Sequence, residues 1–473
     1  MFEKIKDAAR QSFSKQANSK RGLSIIIVGC GKVGATLTEQ LCKEGHDIAV
    51  VDKDPARVQA LTDMYDVMGL VGNGASYSVQ MEAGIETADL IISVTDSDEL
   101  NLLTCTVAKR VGNCAAIARV RDPDYSQEIN YLQERLELAM IINPELEAAN
   151  EIARVLYLPA ALGVNTFARG LAEMIRIKIP EGNVLHGQSL AFLGRDVTKE
   201  ILICAVERGN EVQIPGGNFV LQEGDVISFI ASAKAAAEFL ENIGIQTHRV
   251  KSALLIGGGK SAYYLAKQLL EVGMDVRIIE ERHERCEELS VLLPGATVIN
   301  GDGTKEELLK EEGLETVEAF VPLTGIDEEN ILLTLHAKEV SDAKVITKIN
   351  RINFGHVINR LDLGSVVYPK YITAEAIIAY VRALTASKDS NVETLYHMFD
   401  YRVEAIEFRV KGESELTDKP LKDLKLKDNL LIACINRNGQ IIIPGGDDWI
   451  QADDTVIIVT THTGFDVLQD ILR

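Results

Sequence analysis

No stretch of this 473-residue sequence runs eighteen apolar residues without interruption, so none is expected to span a membrane. No apolar core follows the basic residues of MFEKIKDAARQSFSKQANSKRG, so a secretory signal is not expected there. Phe2, Ile5 and Phe13 with Lys4, Lys6, Arg10 and Lys15 leave two readings of residues 1–22, a short basic amphipathic helix or a frayed basic tail, of which the tail is expected. Positive charge is in deficit: 49 Lys and Arg against 70 Asp and Glu give a net −21, which opposes generic binding to nucleic acid or anionic lipid and fits a cytosolic protein. No helix-turn-helix pattern appears either, and no nucleic-acid partner is expected. The seven cysteines, at positions 30, 42, 105, 114, 204, 286 and 434, have no C-x-x-C spacing and mostly lie in apolar runs. They read as buried thiols of a reducing compartment, not as a disulfide frame or a metal centre. The acidic runs Asp96-Ser97-Asp98-Glu99 and Glu280-Glu281 lack the spacing of a cation cage, so no metal is expected. The eight histidines are scattered, and no Ser-x-x-x-Tyr-x-x-x-Lys or comparable hydride-transfer constellation is present. What is there suffices for large cores: 46% hydrophobic and 25% charged residues describe folded domains, and the length sets a soft expectation of about three.

The stretch Leu23–Asp52 carries the strongest local pattern. Ser24–Val28 is an apolar, β-branched run of strand length, and Gly29-Cys30-Gly31-Lys32-Val33-Gly34 follows as G-x-G-x-x-G. Ala35–Glu44 reads as a helix and His46–Val51 as a second strand, closed by Asp52 eighteen residues past the third glycine. Gly29 permits the tight turn, Gly31 lets backbone amides approach a pyrophosphate, and Gly34 lets helix and strand pack closely. The helix N-terminus offers N–H groups and positive partial charge to phosphate oxygens. Asp52 accepts from a ribose 2′-hydroxyl and repels a 2′-phosphate, which favours NAD over NADP.

Strands and helices then alternate. Val67–Val71 ends at Gly72-Asn73-Gly74, Leu90–Val94 runs into Thr95-Asp96-Ser97-Asp98-Glu99-Leu100-Asn101, and Ala115–Val120 carries Arg119. Met140–Ile142 and a helix over Glu145–Leu156 end this part near Pro159. Alternation of this kind predicts a parallel, doubly wound α/β sheet. A strand-rich module of roughly 80 residues follows, with short segments at Leu171–Ile179, Ile201–Val206, Glu211–Ile214 and Val226–Ala231 and a closing helix over Ala233–Ile243. At Lys251 the first pattern restarts. Gly257-Gly258-Gly259-Lys260-Ser261-Ala262 forms the turn and Glu280 the strand tip, Gly301-Asp302-Gly303 repeats 72–74, and Thr324, Asn330 and Lys348 repeat Thr95, Asn101 and Arg119. Ile201–Gly217 recurs as Leu430–Gly446, and every pair is offset by 228 or 229 positions, so the chain is a tandem duplication of a two-module unit. A dehydrogenase normally follows its dinucleotide domain with a substrate domain; this chain moves to a small β-rich module and repeats.

This order of domains, with G-x-G-x-x-G and Asp52, the Gly-x-Gly at 72–74, TDSDELN at Thr95–Asn101 and ARVRDPDY at Ala118–Tyr125, resembles the regulator-of-potassium-conductance (RCK, or KTN) family over residues 23–473. The resemblance implies an α/β chain with two Rossmann-like RCK-N domains at 23–145 and 250–370, each followed by a small β-rich α+β RCK-C domain, at 160–246 and 391–473. It implies a non-enzymatic gating subunit, cytoplasmic and peripheral on the inner face of the cell membrane. Such a subunit assembles as a homo-oligomeric ring, a tetramer being expected, on a membrane potassium-translocating subunit. NAD(H) and ATP/ADP are the implied ligands. Gly29, Cys30, Gly31, Lys32, Val33 and Gly34 would meet the phosphates, Asp52 the adenosine ribose, and Gly72, Asn73 and Gly74 the adenine, although many relatives have Asp at position 73. Thr95 and Asp96 stand past the fourth strand, where open parallel sheets take ligands. Arg119 would offer a cation to phosphate, the alternative being a surface ion pair with Asp122 or Asp124. The second site would use Gly257, Gly259, Lys260, Ser261, Ala262, Glu280, Gly301, Asp302, Thr324 and Lys348. There Ala262 replaces the third glycine, Gly325 replaces Asp96, and Glu281 and Glu284 add negative charge, so the first half is expected to bind nucleotide more tightly. The competing readings are an NAD-dependent oxidoreductase and a nucleotide-sensing scaffold for another partner.

Overall fold

The computed structural model describes residues 22–126, 128–196, 200–209, 211–245, 250–350, 358, 360–385, 392–399, 402–412 and 414–473; the basic segment 1–21 lies outside them. The chain divides into two compact units, Met1–Ile142 with Val381–Ser390, and Asn143–Tyr380 with Asn391–Arg473.

The first unit holds a six-stranded parallel sheet of β1 (Ser24–Val28), β2 (Asp47–Asp52), β3 (Met68–Val71), β4 (Leu90–Ser93), β5 (Ala115–Arg119) and β6 (Met140–Ile142), ordered β3-β2-β1-β4-β5-β6. This is the doubly wound order, with its reversal between β1 and β4. Ile25, Ile26, Ile27 and Val28 are buried because β1 is covered by helices on both faces. The helix Asp98–Val111 begins where the Ser97 hydroxyl accepts the Leu100 N–H at 3.1 Å; Asp98 and Glu99 in its first turn and Lys109 and Arg110 in its last complement its dipole. Within the same unit, Arg382 pairs with Glu44 at 2.5 Å.

The second unit opens with the helix Pro144–Tyr157. Pro144 takes the first helical position and the Asn143 side chain accepts the Leu146 N–H at 3.0 Å. The sequence pattern attaches this helix to the first domain; instead its small face, Ala148, Ala149, Ile152 and Ala153, packs on Tyr263, Tyr264, Leu265 and Ala266 of the helix Lys260–Glu271. Asn143 donates to the Tyr264 hydroxyl at 3.0 Å, and Gln268 donates to Asn150 at 2.7 Å. Tyr263 and Tyr264 are buried packing residues.

A five-stranded antiparallel sheet follows: β7 (Gly163–Phe167), β8 (Ala172–Lys178), β9 (Ile201–Arg208), β10 (Glu211–Gln213) and β11 (Val226–Ala231), ordered β10-β9-β11-β8-β7. The second parallel sheet comprises β12 (Ser252–Ile256), β13 (Asp275–Glu280), β14 (Thr297–Asn300), β15 (Ala319–Pro322), β16 (Lys344–Lys348) and β17 (Ser365–Val367), ordered β14-β13-β12-β15-β16-β17. A 17-residue helix, Pro369–Thr385, leads to the second antiparallel sheet. Its strands are β18 (Val392–Met398), β19 (Val403–Arg409), β20 (Leu430–Arg437), β21 (Gln440–Ile442) and β22 (Thr455–Thr460), ordered β18-β19-β22-β20-β21. Strand for strand this is the first antiparallel sheet again. Both copies carry the same fastening: Arg208 grips buried Asp225 through two bonds of 2.7 Å, and Arg437 grips buried Asp454 at 3.0 and 2.8 Å. Phe167, Ala172, Met174, Cys204 and Ile230 of one sheet share a single core with Met398, Val403, Ala405, Ala433 and Val459 of the other. The chain is therefore α/β, with two Rossmann-like domains each followed by a small β-rich domain. Among the described residues no helix is long and apolar enough to cross a membrane.

Candidate functional site

The first glycine turn shows why each of its positions is what it is. Gly29 has φ +103°, and a Cβ there would lie 2.9 Å from the Thr95 nitrogen. A Cβ on Gly34 would lie 1.9 Å from the Gly29 carbonyl oxygen, so the helix can approach the turn only with glycine. Gly31 differs in kind: a Cβ there would meet nothing within 4 Å, and the space belongs to whatever lies outside the turn. Gly31 also caps the helix Lys32–Lys43 with no side-chain cap bond, so no capping side chain occupies the helix start. Lys32 is exposed beside this opening, while Val33 is buried beneath it. The Asp52 carboxylate holds the turn in place, accepting the Cys30 N–H at 2.6 Å and the Asp54 N–H at 2.9 Å. Cys30 contributes its backbone; burial and then the Asp52 charge push its thiol up to about 12, so it stays protonated.

Gly72 and Gly74 are explained by packing, since Cβ atoms there would lie 2.8 Å from Val79 and 2.1 Å from Val28. Asn73 between them is exposed and accepts the Ala75 N–H at 3.2 Å. Past β4, the buried Asn101 ties three elements together. Its Oδ1 accepts from the Thr95 N–H at 2.8 Å, the Thr95 hydroxyl at 2.7 Å and the Ser93 hydroxyl at 2.9 Å, and its Nδ2 donates to the carbonyls of Thr95 at 3.1 Å and Arg119 at 2.9 Å. Buried Arg119 donates to the Thr95 carbonyl and to Asp96 at 3.3 Å, so Asp96 is an ion-pair partner of it. Arg121 reaches the Asp96 carbonyl at 2.5 Å, and Asp98 accepts the N–H groups of Arg121 and Asp122 at 2.9 and 2.8 Å. Asn101, Arg121 and Asp98 were not assigned to the site from the sequence. For Asn101 the signal existed, in its recurrence as Asn330.

The second turn keeps the scheme and alters its details. Gly257 has φ +96°, Gly259 caps the helix with open space beside it, and Ser261 and Ala262 are buried. Glu280 accepts the Gly258 N–H at 2.7 Å and the Arg282 N–H at 2.9 Å, as Asp52 does, but also the Arg282 guanidinium at 3.1 Å. Burial pushes the Glu280 carboxyl up, yet these donors outweigh it and hold it below the usual range. Arg285 donates to the Gly258 carbonyl at 2.7 Å, a contact the sequence did not reveal. Lys260 is half-buried at the start of the helix. Gly301 and Gly303 again pack, against Leu308 and Ile256, and Asp302 accepts both the N–H and the hydroxyl of Thr304 at 3.0 and 2.6 Å. Asn330 repeats the tie to Thr324 and to the Lys348 carbonyl at 3.0 Å, while the Lys348 amine donates to the Leu323 carbonyl at 2.8 Å.

Each sheet thus presents an uncapped helix start, an acid hooked onto the turn and a polar knot at one crevice, at the carboxyl end of its strands. Comparison with known proteins agrees with this layout. The TrkA-N domain family matches residues 25–144 and 253–369, and the TrkA-C domain family matches 174–244 and 405–473. A Trk system potassium uptake protein TrkA homolog of Archaeoglobus fulgidus is 30% identical over 451 residues, covering 95% of this chain and all of that protein. The Trk system potassium uptake protein TrkA of Halomonas elongata is 31% identical over 439 residues, covering 92% and 95%. In fold, the chain is similar to a GsuK channel bound to NAD (TM-score 0.61, 18% identity, 94% of this chain and 77% of that one). It is equally similar to the GsuK RCK domain (TM-score 0.61, 17% identity, 93% of each). With both domain types matched twice and in alternation, the chain belongs to the family of the Trk system potassium uptake protein TrkA.

Proposed function

We propose that the chain is a nucleotide-sensing gating subunit of a Trk-type potassium uptake system. On this reading it is a cytoplasmic protein, peripheral on the membrane's inner face. It assembles as a ring, a tetramer by family resemblance, on a membrane-embedded translocating subunit and carries out no turnover of its own. The observation that carries the reading is the first turn: Gly31 opens onto free space at an uncapped helix start, and Asp52 stands at the tip of the neighbouring strand. NAD(H) or ATP/ADP fits this arrangement. The amides at the helix start take phosphate oxygens and the Asp52 carboxylate takes the ribose hydroxyls, its charge favouring NAD over NADP. When bound, the nucleotide supplies fixed negative charge and a bridge between the glycine turn and the strand tips. Thr95, Asp96 and Arg119, knotted by Asn101, form the far side of that bridge. A ligand shifts a conformational balance only through unequal affinity for the two shapes, and Arg119 offers that inequality by exchanging Asp96 for phosphate.

The first half is the tighter site on this reading. In the second half the Arg282 guanidinium already occupies part of the Glu280 carboxylate, and Gly325 stands where Asp96 would be. Calorimetry with D52A and E280A variants tests this: D52A is expected to weaken NAD binding by about tenfold or more, a loss of roughly 1.4 kcal/mol, and E280A to change it far less. Equal losses would refute the ranking. Potassium flux through the co-reconstituted translocating subunit, measured with and without nucleotide, tests the gating role itself; steady consumption of NADH would refute it.

A further inference from the structure

The chain contains three Asn-Gly dipeptides, Asn73-Gly74, Asn300-Gly301 and Asn438-Gly439. When glycine follows asparagine, no Cβ screens the glycine nitrogen, and that nitrogen can attack the side-chain amide of the asparagine. In two of the three the attacking group is engaged elsewhere. The Gly301 N–H donates to the Glu280 carbonyl at 3.0 Å, and the Asn300 amide donates to the carbonyls of Glu280 and Glu281 at 3.1 and 2.9 Å. The Gly439 N–H donates to the Asn436 side chain at 3.0 Å, within the hairpin closed by the Arg437–Gln440 pair. Asn73-Gly74 differs. The Gly74 N–H has no acceptor among the described residues. Asn73 is exposed, and its side-chain carbonyl accepts the Ala75 N–H at 3.2 Å. That bond turns the amide back onto the chain just ahead of it and polarises its carbonyl.

The turn also stands where a new charge would be felt. The Gly72 N–H donates to the Asp52 carbonyl at 2.8 Å, so the turn rests on the strand tip that carries the Asp52 carboxylate. In the second half the place of Asn73 is held by Asp302, within Gly301-Asp302-Gly303. Conversion of Asn73 to aspartate would give the first crevice the same Gly-Asp-Gly and set a second carboxylate beside Asp52.

We propose that Asn73 is a site of spontaneous hydrolytic deamidation, which adds a carboxylate to the first crevice and weakens nucleotide binding there. The Gly74 nitrogen gives its proton to solvent base and bonds to Asn73 Cγ. The Cγ–Nδ2 bond breaks and ammonia leaves, and water then opens the cyclic imide to aspartate or isoaspartate. Water enters, ammonia departs, and nothing is oxidised or reduced. The hydrolysis stands on the geometry of the turn; its effect on binding rests on the nucleotide reading given above. The test is to age the full chain at mildly alkaline pH and map its peptides by mass spectrometry. NAD and ATP are then titrated into fresh chain, aged chain and an N73D variant. Asn73 is expected to convert ahead of Asn300 and Asn438. Aged chain and N73D should bind NAD about threefold more weakly. ATP, with more negative charge, should lose more, and both losses should shrink as salt is raised. An N73S chain aged alike should keep its own initial affinity. The proposal is overturned if Asn73 persists in aged chain, if it converts no faster than the other two asparagines, or if N73D binds both nucleotides as fresh wild type does. Conversion of Asn73 in a chain that binds neither nucleotide even when fresh would uphold the hydrolysis and refute the nucleotide reading instead.

Discussion

Added volume at Gly34 has nowhere to go, because the obstacle is the Gly29 carbonyl, part of a backbone already fixed by its bond to Val51. G34A is therefore expected to cost about 1–3 kcal/mol of stability and to reduce NAD binding at the first site, read by denaturant unfolding and calorimetry. The equivalent Ala262 is fully buried in its own site, so A262G should cost only about 1 kcal/mol, the ordinary penalty of glycine in a helix. The contrast shows which residues can be read from a sequence. Gly29, Gly31, Gly34 and Asp52 answer local demands of a strand–turn–helix, and those demands are met within thirty residues of chain. Asn101 answers a demand set by two strand ends at once. In sequence it is a polar residue near a helix start, a place where solvated side chains are common; four of its five hydrogen bonds fasten the end of β4, and the fifth, to the Arg119 carbonyl, exists only once β4 and β5 lie side by side.

Elements behave likewise. The periodicity of Pro144–Tyr157 marks it as a helix, but the body it packs against is decided by the fit of Ala148, Ala149 and Ala153 to Tyr263 and Tyr264. Strand β7 escaped the sequence reading because GVNTF lacks the apolar alternation of its neighbours. The helix Pro369–Thr385 escaped as well, being apolar on most sides. That helix meets β18 and β19 through charge. Glu375 accepts the His397 N–H at 3.1 Å and lies 3.4 Å from His397 Nδ1, while His397 Nε2 lies 3.2 Å from Glu404. Burial works against the charged ring, but the two carboxylates outweigh it and lift the His397 pKa from 6.5 to about 9. Enclosure of its carboxyl, then the Glu375 charge, raise Glu151 from 4.5 to about 7, with Arg176 and Arg154 opposing. Both folded values lie above the unfolded ones, so each group favours the fold at low pH and loses that contribution as pH rises, Glu151 through 4.5 to 7 and His397 through 6.5 to 9. Stability in denaturant should accordingly fall by about 1–3 kcal/mol per group across its window. E151Q should flatten the lower part of the curve. H397Q should flatten the upper part while lowering stability at neutral pH, where Glu375 and Glu404 lose their cation.

At the scale of the whole molecule, the repeat was legible because it appears as a constant offset, whereas the shared core of the two antiparallel modules leaves no mark on either copy alone. Phe167 lies in that core, 5.1 Å from the Tyr396 ring in edge-to-face contact. F167A should cost about 3–5 kcal/mol and, because the core is common property, should loosen both modules together. Hydrogen exchange would then speed up in β19, β20 and β22 as well as in β8 and β9; protection lost in the first module alone would show that the two unfold independently. Fusion also fixes a ratio. Two modules that must meet face to face are delivered in equal number by every ribosome that completes the chain, and they find each other without a search through solution. Having been freed from identity, they can carry unlike residues at matched places, Arg176 in one and Glu407 in the other, which two copies of a single gene product could never do.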